Sequence, residues 1–198
     1  MAEQESSKPE QPELLAAGDV SLENVNYRRR CHMFHTLQVL AVILVAVAMA
    51  LALAHALELP GKLRLPKDTY LAVQPIYYPG FTIGGVSEPL GLIVLLLLLI
   101  ATSITTAAFW LTLGAFLMLA AMHAVYWLAV HPVNNFWLKD FRLQGAGATF
   151  FLVDPLRRSS GTADPDWTAL RDQWEYAHLL RALLGLLSLT LLAAAVAV

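Results

Sequence analysis

Four long apolar stretches constrain this chain more than any other feature of its sequence. A helix needs about 20 consecutive apolar residues to cross a bilayer core. Runs of that order lie at about 36–57, 83–102, 107–130 and 174–198. In hydrocarbon every backbone N–H and C=O must be satisfied within the protein, so such runs fold as helices. The chain therefore reads as an all-α membrane protein, four transmembrane helices packed as a bundle behind a disordered N-terminal tail. Only 14% of the residues are charged, against about 25% in soluble domains.

Residues 1 to about 27 are rich in Glu, Gln, Ser and Pro, too polar to bury a core alone, and read as a mobile tail. Arg28-Arg29-Arg30 then marks a membrane surface, and the membrane domain runs from 31 to 198. Pro60-Gly61 is expected to end the first span, because Pro lacks a donor and Gly tolerates a reversed backbone. The following segment, to Phe81, is rich in Pro and Tyr and suits the half-wet membrane interface. Thr102 to Thr106 is the natural tight turn, since one helix from Leu90 to Val130 would be about twice as long as a bilayer is thick. His131-Pro132 is expected to end the third span. The polar connection 134–172 reads as short interfacial helices plus a flexible Ser/Gly segment, with Arg157-Arg158 facing solvent or lipid headgroups.

Other features exclude whole classes. A single cysteine, Cys31, permits no internal disulfide framework and no multi-Cys metal site. It reads as an inert thiol beside the membrane, with palmitoylation as the alternative. A net charge of -2 without a basic stripe argues against nucleic-acid binding. The first apolar run lies too far from the start of the chain to be a cleaved signal peptide. The partners expected are the lipid bilayer and a lipophilic small molecule; oligomeric state, membrane orientation and electron donor are not written in the sequence. A multi-pass protein of this kind belongs in the plasma membrane if the cell is bacterial.

Four antiparallel spans bring the end of span 1, the start of span 2, the end of span 3 and the start of span 4 to one membrane face. His55, Glu58, Glu88, His131, Asn134, Trp174, Glu175 and His178 are thereby gathered at one depth, with His123 about two turns deeper. On the last helix Trp174, His178 and Arg181 share a side, and Glu175 stands one turn before His178. His123, Trp127 and His131 recur every fourth residue along the third span. Ionisable side chains are costly in a membrane and commonly mark function. The candidate catalytic residues are thus His55, Glu58, Glu175 and His178. Tyr77, Trp127, His131, Asn134, Trp174 and Arg181 are the candidate substrate-binding residues.

The residues leave the cofactor open. Glu175-x-x-His178 has the spacing used by di-iron carboxylate bundles, and His55, Glu58, Glu88 and His131 would complete a metal shell. That pattern demands two Glu-x-x-His helices, and only one is present. His55 with His131 or His178 would instead suit a bis-histidine haem. The plain alternative is interhelical pairing, for example Glu58 or Glu175 with Arg181. For Tyr77, Tyr78, Trp127, Trp137 and Trp174 the plain alternative is an interfacial aromatic belt, and for His123 a hydrogen-bonded bundle histidine.

Several short motifs occur in a recognisable order: His55-Ala-Leu-Glu58-Leu-Pro60, Val73-Gln74-Pro75-Ile76-Tyr77-Tyr78-Pro79-Gly80-Phe81, His131-Pro132-Val133-Asn134, and Trp174-Glu175 followed by His178 to Arg181. From about residue 35 onward the chain resembles the four-helix membrane family that includes the fungal anthrone oxygenases. The resemblance implies oxidation of an anthrone-like aromatic substrate, although most bacterial-type members have no assigned substrate. It also brings in a cofactor-free route. A deprotonated, electron-rich phenol reacts with dioxygen itself, and the protein supplies a base, an apolar pocket and donors to the enolate. His55 or His178 would be the base, and Tyr77, Asn134 and Trp174 would bind substrate oxygens.

The expected function is a membrane oxidoreductase or monooxygenase acting on a lipophilic substrate in a pocket at one face. The competing expectation is a non-enzymatic membrane protein: a small transporter, a lipid-binding subunit or an assembly partner. A transport path needs polar residues through the full depth, whereas spans 1, 2 and 4 are apolar beyond their first turns at that face.

Overall fold

The computed structural model describes residues 11–137 and 166–198. The described residues form helices joined by short turns, with no strand among them. In chain order these are α1 (Gln11–Lys62), α2 (Lys67–Val73), a 3-10 turn (Gln74–Tyr77), α3 (Gly80–Gly85), α4 (Ser87–Ala101), α5 (Ala107–Val125), a π turn (Tyr126–Val130), α6 (His131–Trp137) and α7 (Trp167–Ala197). Four stretches are long and apolar enough to cross a membrane: Val25–Lys62, Gly80–Ala101, Ala107–Asn134 and Trp167–Ala197. The protein is a four-helix membrane bundle.

α1 packs on α4 and α7, and α5 on the same two helices, so the four spans close an up-and-down ring. Ala41, Val45, Ala48 and Ala52 recur at spacings of four and three and present one buried stripe of α1. Val94, Leu95 and Leu98 meet it from α4, Ala115, Leu119 and Met122 from α5, and Ala182 and Leu192 from α7. Small residues let backbones approach closely in membrane bundles. A Cβ on Gly185 would lie 3.1 Å from the Met49 Cα, so only glycine seats α7 there without displacing α1. Deep in the bundle Ser188 Oγ donates to the Ala115 carbonyl at 2.8 Å. Outside, Ile43, Val47, Ile93, Leu97, Leu117, Leu183 and Leu187 are exposed, as lipid-facing side chains should be.

Several boundaries differ from the sequence reading, each for a physical reason. α1 does not stop at Pro60-Gly61; it continues to Lys62, and Leu63 N–H still reaches the Leu59 carbonyl at 3.0 Å. Pro60 forfeits one intrahelical bond, but the extra turn delivers Lys62 to the polar cluster described below. Upstream, the segment read as a tail is helical from Gln11, and residues 1–10 lie outside the described residues. The α4–α5 turn falls where expected: Thr106 caps α5, its hydroxyl accepting from Phe109 N–H at 3.3 Å.

His131-Pro132 likewise fails to end its span. The π turn over Tyr126–Val130 precedes it, with His131 N–H reaching back to the Tyr126 carbonyl, and the helix resumes as α6. Pro132 has no N–H to give, and the widened turn absorbs that loss. Gln173 Nε2 donates to the Ala129 carbonyl of the same turn at 2.9 Å. The last span begins at Trp167 rather than Trp174, capped by Asp166, which accepts from Thr168 Oγ1 at 2.6 Å and Thr168 N–H at 2.9 Å. Those two bonds hold the exposed Asp166 carboxyl below the usual carboxylate range. The interfacial helices and Ser/Gly segment expected between 138 and 165, including Arg157-Arg158, lie outside the described residues.

Candidate functional site

The polar residues gather at one end of the bundle, in two linked clusters. The first is centred on Lys62. His55, Glu58 and Lys62 follow one another at spacings of three and four and so share a side of α1. The Lys62 ammonium lies 2.9 Å from Glu58 Oε2, 3.2 Å from His55 Nδ1 and 3.7 Å from Glu175 Oε1. It also sits over the rings of Tyr77 and Trp174, 4.7 and 4.9 Å from their centroids, so cation–π attraction adds to its charge pairing.

α2 and the 3-10 turn fold over this end of the bundle. Tyr70, Gln74 and Tyr77 are spaced four and three apart and all point inward. Tyr70 OH donates to Glu175 Oε1 at 2.9 Å, and Tyr77 OH donates to Glu58 Oε2 at 2.6 Å. The Tyr-rich loop is therefore not a half-wet interfacial belt; two of its phenols close the site. Tyr77, Trp137 and Trp174 are buried as well, which removes the belt reading for them.

Burial, then the Glu175 carboxylate beside it, pushes the Tyr70 phenol far above its ordinary value; burial and the bond to Glu58 do the same for Tyr77. A phenol whose pKa rises on folding binds its proton more tightly in the folded state. Its contribution is complete below the unfolded pKa of about 10 and is lost as pH climbs above that value. Stability should accordingly fall above pH about 10, and the late phenolate absorbance of wild type should be reduced in Tyr70→Phe and Tyr77→Phe. Phenolate formation from Tyr70 in still-folded protein would contradict this.

The second cluster joins α4, α5 and α7. Arg181 pairs with Glu88, whose other oxygen lies 3.0 Å from His123 Nδ1. Trp127 Nε1 donates to His123 Nε2 at 3.0 Å, so His123 is hydrogen-bonded on both nitrogens. Arg181 also stacks over Tyr126 at 5.2 Å. His131 is buried against the Trp127 ring, centroids 4.8 Å apart, with the Tyr126 hydroxyl 3.5 Å from its Nδ1. Trp174 Nε1 donates to Asn134 Oδ1 at 2.7 Å, tying α7 to α6. The expected ion pair of Arg181 with Glu58 or Glu175 is not the one formed: Arg181 takes Glu88, and Lys62 takes the other two carboxylates.

Between the clusters two imidazoles touch. His55 and His178 have ring centroids 4.2 Å apart, walled by Trp174 (4.8 and 4.1 Å), Tyr77 and Phe81 (4.5 and 4.7 Å from His55). Their partners assign their protons. An ammonium only donates, so His55 Nδ1 accepts from Lys62 and the His55 proton lies on Nε2. A carbonyl only accepts, so His178 Nδ1 donates to the Trp174 carbonyl at 2.9 Å and Nε2 keeps its lone pair. Neither Nε2 has a hydrogen-bond partner among the described residues. The pair thus presents one donor and one acceptor.

These contacts bear on the cofactor readings. Glu58 and Glu175 converge on a resident ammonium rather than on each other, and no three His, Cys, Asp or Glu side chains among the described residues are grouped to hold a metal ion. The donor set does not fit a di-metal centre. Nor does it fit a bis-histidine haem, because His55 and His178 are in ring contact with no slot for a macrocycle between them, while His131 packs against Trp127 and Tyr126.

All ten candidate residues from the sequence fall at this end of the bundle. Lys62 and Tyr70 were not among them. Lys62 was hidden by the apparent stop at Pro60-Gly61, although its spacing to His55 and Glu58 is a legible signal. Tyr70 offers none: its partner Glu175 is 105 residues away. No protein-family model, curated protein or solved structure matches this chain.

Proposed function

We propose that the protein is a membrane monooxygenase that oxidises a lipophilic aromatic substrate bearing an acidic methylene, of the anthrone type, by acid–base chemistry at the imidazole pair. In a bacterial cell it would act in the plasma membrane. The observation that carries the reading is the contact of His55 and His178 with opposite tautomers inside an aromatic wall. The motif resemblance supplies the substrate class.

His178 Nε2 accepts a proton from the methylene carbon, and His55 Nε2–H donates to the oxygen on which the enolate charge develops. The carbanion gives its electrons to dioxygen and forms a C–O bond; the peroxide oxygen takes up the proton held by His178. Loss of the second C–H proton breaks the O–O bond and releases hydroxide, which leaves as water. In balance, the methylene and one dioxygen become a carbonyl and one water, with one oxygen atom retained in the product and no external reductant consumed.

The test is anthrone oxidation by protein in lipid nanodiscs under labelled dioxygen, without added reductant. One labelled oxygen per quinone, one dioxygen per turnover, and loss of both in His55→Asn and His178→Asn are expected. Absence of turnover in the wild type, or full turnover in both variants, would refute the assignment. The competing reading, a non-enzymatic membrane subunit, draws on the Arg181–Glu88–His123–Trp127 chain, which engages protein groups on three helices, and it predicts no turnover at all.

A further inference from the structure

We infer that Glu58, Lys62 and His55 form a proton port that carries protons between the aqueous surface and the buried imidazole pair. The inference does not rest on an anthrone being the substrate; it rests on the contacts that join an exposed carboxylate to the buried imidazole pair.

The port stands on a gradient of exposure along three contacting groups. The Glu58 side chain is 45% exposed, whereas those of Lys62 and His55 are each 5% exposed and that of Glu175 is 0% exposed. Among these groups Glu58 alone is exposed, in the last turns of α1. Lys62 bridges it to the interior, 2.9 Å from Glu58 and 3.2 Å from His55 Nδ1. The groups facing Lys62 are Glu58 and His55 from α1, the Tyr77 phenol from the 3-10 turn, and Glu175 from α7. Tyr70 and Arg181 act one shell further out, on Glu175 and Glu88. Two carboxylates therefore face one ammonium, and Glu175 keeps Lys62 paired while Glu58 takes a proton from water.

The transfer is balanced at each bond. Lys62 Nζ–H passes its proton to the His55 Nδ1 lone pair, and His55 Nε2–H passes its own to an acceptor in the pocket. Lys62, now a neutral amine, recovers a proton from Glu58, which takes one from water. One proton enters, one is delivered, and His55 is left as the opposite tautomer. Reversal of the same steps, with His55 accepting at Nε2, returns the first tautomer and exports a proton.

A purely structural Lys62 would be replaced well by arginine, which keeps the positive charge and the donors. Arginine gives up its proton about two to three orders of magnitude less readily than lysine, so it blocks the port while preserving the contact. The experiment follows solvent exchange of the His55 Nε2 proton by nitrogen-15 NMR on full-length, histidine-labelled protein in phosphatidylcholine nanodiscs. The His55 signal is identified by its loss in His55→Gln.

In the wild type His55 is expected to carry its proton on Nε2. In Lys62→Arg its exchange should slow by at least about tenfold with Nδ1 still unprotonated, and Glu58→Gln should slow it too, in a variant that leaves the buried cation in place. Unchanged exchange in both variants, or a His55 proton on Nδ1 in the wild type, would overturn the port. Slowed exchange in a protein that oxidises no anthrone would leave the port standing and remove the oxygenase reading. Anthrone turnover with unchanged exchange would do the reverse.

Discussion

Arg181→Met should destabilise the folded protein by about 3–5 kcal/mol, the penalty for removing one partner of a buried ion pair. Arg181 is 8% exposed and Glu88 4% exposed, so water does not replace the lost guanidinium. Glu88 would keep only the His123 Nδ1–H bond at 3.0 Å, and the stacking on Tyr126 would go as well. The double variant Arg181→Met/Glu88→Gln should recover most of the loss. Gln still accepts from His123 but carries no charge, and replacing both members of a buried pair is often near neutral. Denaturant unfolding in detergent micelles checks both. A single-variant loss below about 1 kcal/mol, the scale of a solvent-exposed pair, would mean that water reaches Glu88.

His178→Asn should lower kcat by about 10²–10⁴-fold, the usual contribution of a positioned general base, while leaving the fold intact. The asparagine amide occupies the place of Nδ1 and still donates to the Trp174 carbonyl, now 2.9 Å from that nitrogen. Only the Nε2 lone pair is lost. His55→Asn reads the other half of the pair: its amide oxygen can still accept from Lys62 in the place of Nδ1, while the Nε2–H donor is removed and with it stabilisation of the developing enolate. Anthrone turnover measured beside the unfolding transition separates the two roles. A His178→Asn protein with wild-type kcat would show that His178 packs the site without acting in it.

Much of this architecture was legible because a bilayer leaves few alternatives. Runs of about 20 apolar residues must be helices, and short connections make neighbours antiparallel, so residues as distant as Asn134 and Trp174 fall at one depth. The α4–α5 turn was visible as a cluster of hydroxyl residues between two apolar runs. The errors came from reading local rules as final. Pro60 and Pro132 are stop signals in isolation, yet both are passed, one by a helix that goes on to seat Lys62 and one through a π turn. Pairing was the least legible layer. Arg181 has Glu175, Glu58 and Glu88 within its end of the bundle, and which carboxylate it takes depends on helix rotation, which apolar periodicity alone does not fix in spans as uniformly aliphatic as α4.

From Leu90 to Met122 the chain carries no Asp, Glu, Lys, Arg or His, and the same holds for 36–54 and for 182–198. Apart from Arg28, Arg29, Arg30, His32 and His35 at the far end of the first span, the charged and imidazole groups of the four spans crowd one rim, and the thickness between is an insulator. Moving an elementary charge across a membrane potential is worth about 2.3 kcal/mol per 100 mV, but a proton that enters and leaves by the same rim crosses almost none of that field. The chemistry of this protein should follow the pH of a single compartment and be indifferent to membrane voltage.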